Sequence, residues 1–480
     1  MIRYTLGWLI LFESIFFAVP MITAVVYWEN AFFAFLISAL ICAVLGTALV
    51  IKKPKDNTIY AREGFVIVSL CWVALSIFGA LPFMFTGVTN YSFVDALFET
   101  VSGFTTTGAS IFSAVEWLPK SILIWRSFTH WVGGMGVLVF VMAFLPLGGG
   151  QNLHIMRAES PGPEVSKLVP KMKNTAIILY VIYFIMTAIL FISLLIAEMR
   201  PFEALNTAFA TAGTGGFGYK NDSFGSATSI QQIIVTVGML LFSINFNSYY
   251  LVMKLKFKEA FNSEVRAFIC VVAVAITIVT VNVYTGDLAG QFNSVGEALR
   301  HSAFTVASVV STTGFSTVDF NLWPSLAKTV IVLLMFIGAC AGSTGGGMKV
   351  SRFVILIKGL FRELGAIVHP KQVKRISIDK RPLEREVIRS VNAYVVCFVL
   401  VFAASLIAIS FDNKDMVTNF TAVAATINNV GPGLAEVGPA SNFSGFSDLS
   451  KLVLSFDMIA GRLELFPMLI LFSPSTWKRA

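Results

Sequence analysis

Four stretches of this chain end in the same kind of turn. Aligned on one glycine they read DALFETVSGFTTTG, EALNTAFATAGTGG, HSAFTVASVVSTTG and TNFTAVAATINNVG. The residues that close them are Thr106, Thr107 and Gly108; Thr214, Gly215 and Gly216; Thr312, Thr313 and Gly314; and Asn429, Val430 and Gly431, none of them charged. A turn that closes on a glycine with positive φ can present successive backbone carbonyls in place of an ion's water shell. Carbonyls suit a weakly hydrated monovalent cation. A divalent ion would ask for a ring of carboxylates and an anion for Arg or Lys, and the turns hold neither. Recurrence roughly every hundred residues suggests four copies of one unit whose turns meet around a common axis.

The elements that must position these turns are membrane elements. The chain has 480 residues, 56% hydrophobic and only 13% charged, which excludes an ordinary soluble domain of this length. Apolar runs long enough for a helical span occur at 3–28, 31–51, 65–85, 122–147, 175–197, 230–251, 267–284, 326–360, 387–409 and 449–472. The pattern predicts an all-α integral membrane protein with ten transmembrane helices. Eight of them fall into four units, each a long span, a shorter stretch ending in the turn, and a second long span. The short stretches have room for about three helical turns, so each predicts a half-helix that re-enters and an extended return toward a central pore. The dipole of such a half-helix would direct its partial negative end toward the membrane centre.

Charge sets the expected topology. Lys52, Lys53, Lys55 and Arg62; Arg157, Lys167, Lys171 and Lys173; Lys254, Lys256, Lys258 and Arg266; and the stretch 349–389 form basic loops between runs. The positive-inside rule places them, and both termini, in the cytoplasm. Glu13 and the lack of a small-residue cleavage site make the first run an uncleaved anchor. Topology explains the basic residues without nucleic acid, and the lipid bilayer is the expected partner. The five cysteines show no CxxC spacing and read as packing residues; the dispersed histidines give no zinc pattern.

Two further features bear on control. GACAGSTGGGMK, 338–349, breaks the long run in the third unit, and its five glycines, Gly338, Gly342, Gly345, Gly346 and Gly347, cannot sustain a helix. A mid-membrane loop there could obstruct a pathway; the alternative is a close-packed glycine contact between helices. A phosphate loop would need Gly directly before Lys349, where Met348 stands. Arg462 lies inside the last apolar run and would repel a cation if it faced the pathway, or pair with another helix.

With the turns, the segment WRSFTHWVGGMGVLVF (125–140), the glycine-rich break and Arg462, the chain resembles the bacterial Trk/Ktr/HKT superfamily of potassium transporters, Trk-type membrane subunits most closely. The resemblance implies four pseudo-symmetric M1-P-M2 units, at 61–150, 151–258, 259–378 and 379–480, after two extra N-terminal helices in 1–60. It implies K+ as the transported ion, with no organic cofactor and no enzymatic activity. It also implies a homodimer in the bacterial inner membrane and a cytosolic ring of nucleotide-binding regulatory subunits of the TrkA type; the residues themselves make the 338–349 loop, with Lys349, and Arg462 the expected gate under such a partner. The fourth turn, NNVGPG, departs most from the other three. H+ or Na+ coupled potassium symport is the alternative reading.

Overall fold

The computed structural model describes residues 1–54, 61–136, 172–286, 292–370, 375–379 and 381–477. The end of the fourth apolar run (137–147), the end of the 125–140 segment, and Lys55, Arg157, Lys167, Lys171, Lys371, Lys374 and Lys380 lie outside the described residues. The chain is mostly helical. Six of its described helices are long and apolar enough to cross a bilayer, or seven if one bent pair counts as a single span.

Helices α1 (Ile2–Phe16), α2 (Ala18–Val26) and α3 (Ala31–Val50) form an N-terminal hairpin. Next come α4 (Ala61–Gly79), α5 (Leu81–Phe85), α6 (Phe93–Phe104), α7 (Lys120–Gly134), α8 (Met172–Ile196), α9 (Pro201–Ala212), α10 (Ser229–Phe242) and α11 (Phe246–Met253). The rest of the core is α12 (Ser263–Thr285), α13 (Val295–Val310), α14 (Ser325–Ile337), α15 (Val350–Val368), α16 (Arg385–Ile409), α17 (Met416–Ile427), α18 (Asp448–Arg462) and α19 (Phe466–Leu471). One small hairpin, β1 (Ser377–Ile378) antiparallel to β2 (Arg381–Pro382), lies between α15 and α16.

Several apolar runs that read as single spans are broken, and the partners at each break show why. The run at 230–251 bends by 91° between α10 and α11. Asn245 caps the second helix by accepting the Asn247 N–H, while the carbonyls of Phe242 and Ser243 bond to the 338–349 loop. The run at 449–472 breaks after Arg462, where Glu464 and Leu465 take φ of 58° and 65°. There the Leu465 N–H reaches back to the Ala460 carbonyl at 2.7 Å, and Pro467 opens the next helix.

The N-terminal hairpin wraps α7. Phe17 and Phe35 pack on Trp125, with ring centroids 4.7 and 6.3 Å away, and the Trp125 indole donates to the Gly79 carbonyl at 3.1 Å. Beyond α2, the Glu29 carboxylate accepts the backbone N–H groups of Lys120 (2.6 Å) and Ser121 (3.0 Å) and the Ser121 hydroxyl (2.5 Å). It thus caps α7 from a distant part of the chain, where Pro119 offers no side-chain cap. Glu29→Ala is expected to cost about 1–2 kcal/mol, read as a lower melting temperature in detergent, with Glu29→Gln milder.

Candidate functional site

Four short helices, α6, α9, α13 and α17, carry the aligned turns at their C-termini, and each begins with a start signal of its own. The Ser92 hydroxyl caps α6, the Ser294 hydroxyl caps α13 and the Asp415 carboxylate caps α17, while Pro201 opens α9. Hydrogen bonds from the Thr418 hydroxyl and the Thr418 N–H hold the Asp415 carboxyl below the usual range. Asp95, Glu203 and Glu297 add negative charge in the other first turns, where the helix dipole favours it.

All four helices end in one cap geometry. The N–H groups of Thr107, Gly215, Thr313 and Val430 donate to the carbonyls of Ser102, Ala210, Ser308 and Ala425 at 2.8–2.9 Å. One residue earlier, Thr106, Thr214, Thr312 and Asn429 take left-handed φ of 57°, 52°, 59° and 54°. Glycine usually fills this position of a Schellman cap, and a β-branched residue there is strained by about 1–3 kcal/mol. Two residues on, Gly108, Gly216, Gly314 and Gly431 have φ of 82°, 80°, 87° and 94°. The fourth turn matches the others despite its different residues, because Asn tolerates the left-handed region.

These turns meet and close on themselves. A β-carbon on Gly108 would stand 2.1 Å from the carbonyl oxygen of Gly215, and one on Gly216 would stand 1.9 Å from that of Thr313. On Gly314 it would stand 2.4 Å from the Val430 oxygen, and on Gly431 2.6 Å from the Thr107 oxygen. Each glycine therefore packs on the carbonyl of the next turn, in chain order, and the fourth returns to the first. A wider layer repeats the circuit: Val115 N–H to Asn221, Phe224 N–H to the Ser316 carbonyl, Ala435 N–H to Asn321, and Phe443 N–H to the Ser110 carbonyl, all at 2.8–2.9 Å. A cavity of about 160 Å³ opens on one face of the ring and touches all four glycines.

Buried polar side chains brace the ring. Arg126 pairs with Glu99 at 2.7 Å and donates to the Ser110 hydroxyl and the Gly218 carbonyl, joining the first and second turns. His130 Nδ1 lies 2.7 Å from the Gly103 carbonyl, and its Nε2 accepts the Phe217 N–H at 3.2 Å. Those partners define a neutral ring with its proton on Nδ1. Asn429 Nδ2 donates to Thr107 Oγ1 at 3.0 Å and to the Met458 carbonyl at 2.8 Å, tying the fourth turn to the first and to α18. Glu99 and this role of Asn429 were not picked out from the sequence. The signal for Glu99 was a carboxylate beyond the first turn of a half-helix whose other charge, Asp95, sits at its N-terminus.

On the face away from the cavity sits the 338–349 segment, with no helix between α14 and α15. Gly338, Gly342, Gly347 and Lys349 have positive φ. The Gly346 N–H donates to Thr312 Oγ1 at 2.6 Å and the Gly347 N–H to the Asn428 carbonyl at 2.9 Å, while Gly345 packs on the Ser311 carbonyl. The loop is thereby bonded to the third and fourth turns. Lys349, buried, turns its ammonium to the Gly345 carbonyl. Arg462 donates to the Thr344 carbonyl of the loop at 2.8 Å and to the Gly133 and Gly134 carbonyls of α7 at 2.6 Å. Arg352 pairs with Glu464 and lies over Tyr394, joining α15 to the break after Arg462. The structure thus brings the turns, the loop and Arg462 into one contiguous assembly.

A family model described as TrkH, cation transport protein, matches residues 31–479. The chain belongs to the TrkH family of cation transport proteins. It is a transporter and not an enzyme. It is 34% identical over 477 residues to the Trk system potassium uptake protein TrkH of Escherichia coli (strain K12), covering 98% of each chain. To the protein of the same name from Halomonas elongata it is 32% identical over 486 residues, covering 100% of this chain and 99% of the other. The crystal structure of the potassium transporter TrkH from Vibrio parahaemolyticus superposes with a TM-score of 0.89 at 31% identity over 99% of both chains.

Close packing at the ring leads to a stability contrast within this TrkH-family chain. Gly216→Ala is expected to lower the melting temperature by roughly 5 °C or more, since neither φ nor space admits a methyl. Gly365→Ala, with nothing within 4 Å of the new carbon, serves as the control and should leave it unchanged or slightly higher.

Proposed function

We propose that this chain carries K+ inward through the centre of the four-turn ring, as the membrane subunit of a Trk-type uptake system. Closure of the ring in chain order is the observation that carries the reading. It brings four uncharged, carbonyl-bearing turns to one place, each at the C-terminal, partially negative end of a half-helix. The transported cation is coordinated by carbonyls of Thr106, Thr107 and Gly108; Thr214, Gly215 and Gly216; Thr312, Thr313 and Gly314; and Asn429, Val430 and Gly431. The half-helices and their flanking spans form the four units at 61–150, 151–258, 259–378 and 379–480, with ten spans in all. Names of the relatives as potassium uptake proteins support K+ as the ion.

The cavity face of the ring is external and the loop face cytoplasmic, consistent with the basic loops and with both termini inside a bacterial inner membrane. Inward movement follows the inside-negative potential, worth about 2.3 kcal/mol per charge per 100 mV. The 338–349 loop is the gate, closed in the conformation described here. Arg462 serves it twice, as a strut between Thr344 and α7 and as a positive charge beneath the ring. A homodimer and a TrkA-type nucleotide-binding ring docked on the basic loops complete the system.

Flux into proteoliposomes tests the reading. K+ is expected to enter faster than Na+ under a negative potential with no added H+ or Na+ gradient; a strict requirement for either gradient would support symport instead. Arg462→Ala is expected to raise K+ flux in the absence of any partner. Unchanged or lower flux at full expression would contradict the gate.

A further inference from the structure

The loop beneath the ring is also held from the side, by a residue the proposed pathway does not use. Glu264 lies in the first turn of α12, and its Oε1 accepts the N–H of Ala341 at 2.7 Å and of Ser351 at 3.2 Å. One donor belongs to the loop and the other to the first turn of the helix that leaves it. A single carboxylate oxygen therefore spans both sides of the break, and without it two N–H groups of buried residues would lose their acceptor.

The same turn of α12 is tied in the opposite direction. Ser263 donates its N–H (2.9 Å) and its hydroxyl (2.5 Å) to Asp379 Oδ1, and Arg266 lies 3.5 Å from that oxygen. Asp379 sits in the turn of the β1–β2 hairpin with φ of 48°, inside the most basic stretch of the chain. That hairpin folds back on α15: Lys358 donates to the Ser377 carbonyl at 2.8 Å, and Ile376 is buried. Arg375 and Arg385 beside it are exposed. An unbroken series of direct contacts thus runs from an exposed basic hairpin through Asp379, Ser263 and Glu264 to both sides of the loop.

We propose that Glu264 is the latch that keeps the 338–349 loop seated, and that Asp379 couples this latch to the hairpin so that an acidic partner surface docking there releases the loop. The inference rests on the loop being the gate. Glu264 is a positioning residue, since it touches the loop and not the ring.

K+ flux into proteoliposomes without any partner separates the possibilities, with Arg462→Ala run alongside. Glu264→Ala is expected to raise basal flux roughly fivefold or more, because both N–H groups lose their acceptor. Glu264→Gln keeps an Oε1 acceptor and should stay within about twofold of the parent. Asp379→Ala should raise flux less than Glu264→Ala, and the double variant should not exceed Glu264→Ala, because both act on one connection. If Arg462→Ala raises flux and Glu264→Ala does not, the latch is overturned and the gate stands; if neither does, the gate itself fails. A double variant equal to the product of the single effects would overturn the coupling to Asp379. Should Glu264→Ala not yield monodisperse protein, the labelling rate of the buried loop thiol Cys340 in Asp379→Ala decides: faster than the parent supports the coupling, and equal to it overturns it.

Discussion

The α-carbon of one turn and the carbonyl of the next approach so closely, at four places, that no side chain fits between them. Everything around the ring follows from that approach. Each half-helix must end abruptly, so each takes a Schellman cap, and three of the four caps hold a threonine in a left-handed conformation it rarely adopts. Such strain persists only where the surroundings over-determine the backbone. The Glu99–Arg126 pair, His130 between the first and second turns, and Asn429 between the fourth and the first supply that determination. The N-terminal hairpin supports them at one remove by fixing α7, which carries both Arg126 and His130.

Cations are distributed unevenly about this ring. Arg126 has a carboxylate against it, whereas Lys349 and Arg462 on the loop face are bonded to carbonyls. Half-helix C-termini converge nearby, and their partial negative charge stabilises a cation whether it is mobile or tethered. A guanidinium suits the tethered role because its planar fork can engage carbonyls from two segments at once and keeps its charge. In the account proposed here, closing the loop places fixed positive charge and backbone N–H donors below the ring, and opening it removes both together.

Much of the arrangement was legible in the sequence because it depends on local composition. Runs of small residues before Gly108, Gly216, Gly314 and Gly431 marked the turns, their length marked the half-helices, and clustered glycines marked the broken span. What escaped the sequence was set by distant partners. The bend between α10 and α11 follows from carbonyls of Phe242 and Ser243 being taken by a loop about a hundred residues later. Hydropathy is blind to it. Glu264 lies just before the apolar run at 267–284, where nothing local marks it, because its two partners lie 77 and 87 positions away. Asn429 stood out as a departure from the threonine pattern, yet the same residue type that tolerates the left-handed backbone also supplies an amide that bridges two elements.

The central claim is that a monovalent cation is coordinated by carbonyls at the centre of this ring. Anomalous scattering from crystals grown with Rb+ in place of K+ tests it most directly. The account predicts a peak on the ring axis, enclosed by carbonyls of all four turns and absent when Rb+ is replaced by a large organic cation. Rb+ peaks confined to other sites, with an empty ring in well-ordered density, would contradict it.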